Sequence, residues 1–150
     1  MSFTQLNNGL HVEYDINGLT NGLHGFHIHD KPLNMNSFMN ENPCKECCSH
    51  FNGGMPIWSE KTQFGTPHGQ HLGDLCFNIE SVNGVSVGSF VDHKISIIPG
   101  QNNCIIGRSI VIHADPDNMG SLNNFYDTTS LTTGGAGDRV ACANIYSMSE

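Results

Sequence analysis

The segment Leu23-His-Gly-Phe-His-Ile-His-Asp30 alternates apolar and imidazole side chains from Phe26 to His29. In an extended strand, successive side chains alternate between faces, so Phe26 and Ile28 share one face while His27 and His29 share the other. The stretch is too apolar to be a loop. Taken as a strand, it sends Phe26 and Ile28 into a core and two imidazoles, about 7 Å apart along the chain, out of the opposite face. Two imidazoles so placed are half of a metal site, and the other half has to come from elsewhere in the sequence.

Composition sets the frame around that strand. The 150 residues suit one domain, residues 1–150, large enough to bury a core. Hydrophobic residues make up 37% and charged residues 13%, while Gly and Asn are abundant, a mixture that suits short strands joined by turns rather than a helical bundle. The formal net charge of -8 and six scattered Lys and Arg residues supply no basic stripe, so neither nucleic acid nor an anionic membrane is an expected partner. No apolar run is long enough to span a bilayer, and the opening Met1–Asn8 lacks the pattern of a signal peptide, so an intracellular, cytoplasmic protein is expected. In that compartment six cysteines read first as thiols or metal ligands. Nine histidines are the stronger compositional signal.

Outward from the opening segment, alternation predicts strands over Ser2–Leu6 and Leu10–Ile16, with Asn7-Asn8-Gly9 as the turn between them. Val12, Tyr14 and Ile16 share the face opposite His11, Glu13 and Asp15, which makes His11 a solvated residue. Further strands are predicted over Leu75–Ser81, Val85–Val91, Ile95–Ile98, Ile105–His113 and Val140–Met148, and His93 falls in a turn. Two long stretches carry no period, from Lys31 to Gly73 and from Asp115 to Asp138; loops of that length are commonly functional. Regularly spaced short strands with two large excursions point to an antiparallel sandwich or barrel.

The first excursion ends in His68-Gly-Gln-His71-Leu-Gly-Asp74, two imidazoles and a carboxylate at intervals of three. Zinc accepts such ligands in a tetrahedron, and these three leave one corner open, with His50 in the same excursion. Chance spacing in a histidine-rich chain is the plain alternative. His27 and His29 with His113 form a second group drawn from two strands, and imidazole-rich sites suit copper. The plain alternative there is a pair of polar side chains on an exposed strand face.

Five stretches, Gly22-Leu-His-Gly-Phe-His-Ile-His29, Ser49-His-Phe-Asn-Gly53, His71-Leu-Gly-Asp-Leu75, Gly107-Arg-Ser-Ile-Val-Ile-His113 and Gly137-Asp-Arg-Val-Ala-Cys142, together resemble copper/zinc superoxide dismutase, in order and over nearly the whole chain. The resemblance implies a Greek-key antiparallel β-sandwich or barrel with two long functional loops. It implies copper held by His27, His29, His50 and His113, and zinc held by His50, His68, His71 and Asp74, with His50 bridging the two. Asp117, a turn residue on its own reading, matches the family's aspartate that hydrogen-bonds a ligand histidine on each metal. Cys44 and Cys142 match the family's intrasubunit disulfide, and Arg139 matches the arginine that guides the anion to copper. The implied activity is disproportionation of superoxide to dioxygen and hydrogen peroxide by Cu(II)/Cu(I) cycling, with His50 supplying a proton. The resemblance also makes a homodimer an expected assembly.

Several features depart from the family pattern. Met1 falls where the family's second strand should start, so the first strand is expected to be missing. The interval from His50 to His68 is longer than usual and that from His68 to His71 shorter. Asp115 and Thr132 align where many relatives carry lysines at the mouth of the copper channel, so weaker electrostatic steering is expected. Cys47 and Cys48 are additional loop thiols, and Cys76 and Cys104 are read as free. His24 is read as structural and outside both metal shells. The second functional reading, from a different class, is a non-catalytic copper/zinc storage or delivery protein on the same fold.

Overall fold

The structure, a computed structural model, describes residues 1–34, 42–53, 70–75, 77–119 and 133–148; His68, Cys76 and Thr132 lie outside them. Seven strands occur in the described residues: β1 (Ser2–Leu6), β2 (Gly9–Asn17), β3 (Gly22–His29), β4 (Asn78–Ser81), β5 (Val85–Asp92), β6 (Ser109–His113) and β7 (Arg139–Asn144). They form two antiparallel sheets, a three-stranded one in the order β1-β2-β5 and a four-stranded one in the order β4-β3-β6-β7. Non-consecutive neighbours, β2 with β5 and β3 with β6, give the crossovers of a Greek-key sandwich. Among the described residues no helix is long and apolar enough to cross a membrane.

The inward faces follow the alternation. Leu10, Tyr14 and Phe90 of one sheet meet Phe26, Ile28, Ile79, Ile110 and Ile112 of the other in a single apolar cluster. Phe26 and Phe90 lie edge to face at 5.6 Å, and Phe90 stacks on Phe77 at 4.6 Å, arrangements that suit the ring quadrupole. Tyr14 reaches this cluster because its cross-strand partner is Gly88, where an added Cβ would fall 2.5 Å from the tyrosine oxygen.

Four predicted strands differ. Leu75–Ser81 shortens to Asn78–Ser81. Ile95–Ile98 forms no strand: Ser96 makes one parallel bridge to Cys104, and Gln5 Oε1 accepts from Ser96 Oγ and Ile97 N at 3.1 and 3.0 Å, so a side chain takes the place of a ladder. Ile105–His113 shortens to Ser109–His113, because Ile105 to Arg108 closes as a turn with Arg108 N donating to Ile105 O at 3.1 Å. Val140–Met148 is replaced by Arg139–Asn144, one residue earlier at its start and four shorter at its end.

Candidate metal centre

The centre grows from the outward face of β3. His27 and His29 are 0% and 1% exposed, although they point away from the core that takes Phe26 and Ile28. Loop segments cover them. Phe51 N donates to Ile28 O at 2.8 Å, Gly73 N to Phe51 O at 2.7 Å, Ile28 N to Gly73 O at 3.1 Å and Asp30 N to Ser49 O at 2.9 Å, so both loop ends bind to the last residues of β3. His50 forms a bridge with His29 and becomes buried, and His71 and Asp74 arrive with the second segment.

The opposite edge of this half of β3 pairs with β6, where Ile110 and Ile112 enter the core and leave Val111 and His113 on the histidine face. A register shift between Ile112 and His113 then sets His113 opposite Arg139, with Val140 as the extra residue. Strict alternation from Cys142 would turn Arg139 to the other side. A bulge re-aims a side chain in this way, and here it brings Arg139 and Cys142 together against the short 3-10 turn Pro43–Cys47.

Two donor groups result. Ligand atoms of His27, His29, His50 and His113 lie within 4.8 Å of one another, as do those of His50, His71 and Asp74, and every one of these residues is buried. Ring centroids are 4.1 Å apart for His27 and His50, 4.8 Å for His29 and His50, and 4.9 Å for His27 and His113. His50 belongs to both groups: its Nδ1 is 2.5 Å from Asp74 Oδ1, which leaves Nε2 for the other side of the ring. Asp74 Oδ2 accepts from His71 Nδ1 at 2.6 Å and from His71 N at 3.0 Å.

One nitrogen of each outer imidazole is engaged, and this fixes the other. His27 Nε2 donates to Asp117 Oδ2 at 2.7 Å, His29 Nδ1 to Cys48 O at 2.7 Å, and His113 Nδ1 to Gly137 O at 3.1 Å. Each ring therefore turns its remaining nitrogen, an unprotonated acceptor, toward the cluster. Nε2 of His29 and Nε2 of His113 are buried and accept no hydrogen bond, an arrangement that is costly for a polar atom until an ion takes the lone pair. Burial pushes His27 down to about 3 and His113 down to about 4, and holds His29 well below its ordinary value; the hydrogen bond to Asp117 partly opposes this for His27, and the neighbouring His50 adds to it in all three. Neutral imidazoles are the ligating form. The four-nitrogen group fits copper, and the His50, His71 and Asp74 group fits zinc.

Arg139 borders the first group. Its Nη1 donates to Cys44 O at 2.8 Å and to Lys45 O at 3.3 Å, and Nη2 to Cys48 O at 2.6 Å. Burial lowers its pKa from the ordinary value, with the neighbouring Cys47 and Cys48 opposing the shift. Cys44 and Cys142 form a disulfide that ties the 3-10 turn to β7, and Cys47, Cys48 and Cys104 are free thiols. Asp117 binds His27 and also accepts from Met119 N at 2.7 Å. His24 Nδ1 and Nε2 meet the carbonyls of His113 and Thr20 at 2.7 and 2.8 Å, so it supports the β3–β6 junction. The expected zinc ligand His68 lies outside the described residues. The carbonyls of Cys48 and Gly137, which orient His29 and His113, carry no signal in the sequence, because a backbone acceptor leaves no mark in residue identity.

Residues 1–145 match the family described as copper/zinc superoxide dismutase. Relatives named Superoxide dismutase [Cu-Zn] include one from Paramecium bursaria Chlorella virus 1, 37% identical over 95% of this chain and 69% of its own length. Another, from Onchocerca volvulus, is 40% identical over 87% of this chain and 75% of its own. Among solved structures, the crystal structure of the clock protein EA4 matches with a TM-score of 0.72 at 34% identity, covering 95% of this chain and 82% of that one. A family match over nearly all the sequence, joined to two buried donor groups that share one imidazole, establishes that the chain belongs to the copper/zinc superoxide dismutase family.

Proposed function

We propose that the protein is a superoxide dismutase, converting two superoxide ions and two protons to dioxygen and hydrogen peroxide. In this reading His27, His29, His50 and His113 hold copper, while His50, His71 and Asp74 hold zinc together with His68. The observation that carries it is the double membership of His50, which no unrelated pair of metal sites requires. When bound, copper supplies one-electron exchange between Cu(II) and Cu(I), whereas zinc, without redox chemistry, organises the loop.

The chain's own groups have distinct tasks. Asp117 and the carbonyls of Cys48 and Gly137 hold three imidazoles in one tautomer each. His50 Nε2, the ring nitrogen turned away from Asp74, would hold a proton and pass it to the reduced anion. Arg139, gripped by three carbonyls, offers a charged planar fork to a small anion without having to reorganise. A homodimer belongs to the same proposal. So does a cytoplasmic setting, supported by the free thiols Cys47, Cys48 and Cys104 among the described residues, which a reducing compartment would maintain.

The test is superoxide loss by the full chain loaded with both metals, beside a His113→Ala variant. The natural chain is expected to be fast and the variant to fall to background. Equal rates near background in both would reject catalysis and leave the storage or delivery reading.

A further inference from the structure

Lys94 follows β5 in a turn fixed on several sides. Asp92 Oδ1 accepts from Lys94 N at 2.6 Å and from Ile95 N at 3.1 Å, and Asn103 Nδ2 donates to Lys94 O at 2.8 Å. Ile95 is buried, which anchors the turn to the core. With its backbone so held, the half-buried side chain runs to the segment from His71 to Asp74. There Nζ donates to the carbonyl of Asp74 and lies 3.4 Å from the carbonyl of His71. These two residues are the ones whose side chains make up the second donor group with His50. Between them, Gly73 O accepts from Ile28 N at 3.1 Å, so β3 holds the middle of the turn and Lys94 holds both of its ends.

We propose that Lys94 is a positioning residue for the zinc half of the centre, its ammonium clamping the backbone of His71 and Asp74 so that both ligand atoms are set before the ion arrives. The proposal rests on reading His50, His71 and Asp74 as zinc ligands. Holding a ligand turn in its bound form removes an ordering cost that binding would otherwise carry. Repulsion between an ammonium and a divalent ion acts in the opposite direction. Here the ammonium faces two carbonyl dipoles, and Asp74 itself brings a negative charge, so positioning outweighs repulsion. Groups that orient a ligand without touching the metal commonly change metal affinity by about 10- to 100-fold.

The experiment compares the natural full chain with Lys94→Met, both freed of metal with the disulfide intact. Zinc and copper affinities are measured by chelator competition, and the visible spectrum is recorded with cobalt in the zinc half. Zinc binding is expected to weaken about tenfold in Lys94→Met, with a changed cobalt spectrum and an unchanged copper affinity. Lys94→Arg, which keeps the donor, is expected to recover most of the loss. If Lys94→Met does not fold, Lys94→Gln carries the same expectation. Unchanged or tighter zinc binding overturns the proposal, as does an equal loss for both metals, which would mark a general structural role. Failure of the natural chain to bind zinc at all would instead remove the zinc reading on which the proposal stands.

Discussion

Cys48 holds φ 63° and ψ -148°, close to a region that side chains other than glycine occupy only under strain. Its carbonyl accepts both His29 Nδ1 and Arg139 Nη2, so the strained peptide aims one imidazole and the guanidinium together. Strain of this kind costs on the order of 1–3 kcal/mol. Cys48→Gly should therefore stabilise the metal-free protein by about 1 kcal/mol, once glycine's greater freedom in the unfolded chain is set against the relief. Thermal unfolding checks this, with a rise of a few degrees expected; a fall would mean that packing of the thiol outweighs the strain. The neighbouring residues show how unevenly the centre can be read from sequence. Period-2 alternation identified His27 and His29 as a pair sharing one face, and that is where they lie. Asp117 had no signal of its own and became visible only through family resemblance. Lys94 had none of either kind, because its contacts are to carbonyls some twenty positions away.

Among the elements, β3 does the most, since its first half pairs with β4 and its second half is gripped by β6 on one edge and by loop backbone on the other. Gly73 makes that second grip possible. A Cβ on it would stand 2.1 Å from Ile28 O and 3.0 Å from Phe51 N, both backbone atoms with nowhere to yield. Gly73→Ala should cost about 2–4 kcal/mol of stability and loosen zinc in the same variant. Denaturant unfolding with and without zinc measures both, and a variant as stable as the natural chain would show that the loop can lift off β3 at little cost. Strands β1, β2 and β5 were legible because inward and outward residues alternate along each, and β3 because apolar residues alternate with histidines, although burial covers both of its faces. Ile95–Ile98 was misread because its alternation is genuine while its ladder partner is the amide of Gln5. The bulge in β7 could not be read at all, because it arises from pairing with β6 and not from any feature of Arg139-Val140.

At the scale of the molecule the deciding quantity is charge. A net charge of -8 repels an anionic substrate, and the chain has only six Lys and Arg to counter it. Two of these are committed elsewhere: Arg108 pairs with Asp30 and stacks on Phe51 at 4.1 Å, and Lys94 faces the His71–Asp74 turn. Arg139 stands beside the four histidines, while the exposed Asp115 carboxylate lies against Gly137, whose carbonyl orients His113. On the proposed function, Arg139 and the Asp115 acid expected at the channel rim act on superoxide with opposite sign, so kcat/KM should change little as salt is added. Asp115→Lys alters the local charge by two units. At about 10 Å in water that is worth ~0.8 kcal/mol, or about fourfold in encounter rate at low ionic strength, where the screening length is about 30 Å. The variant should therefore be faster than the natural chain in dilute buffer and converge on it as salt rises. Pulse-radiolysis rates across a salt series decide the matter. A steep fall with salt in the natural chain would place attractive steering in groups other than the rim, and identical curves for the two proteins would show that Asp115 stands too far from the anion's path to matter.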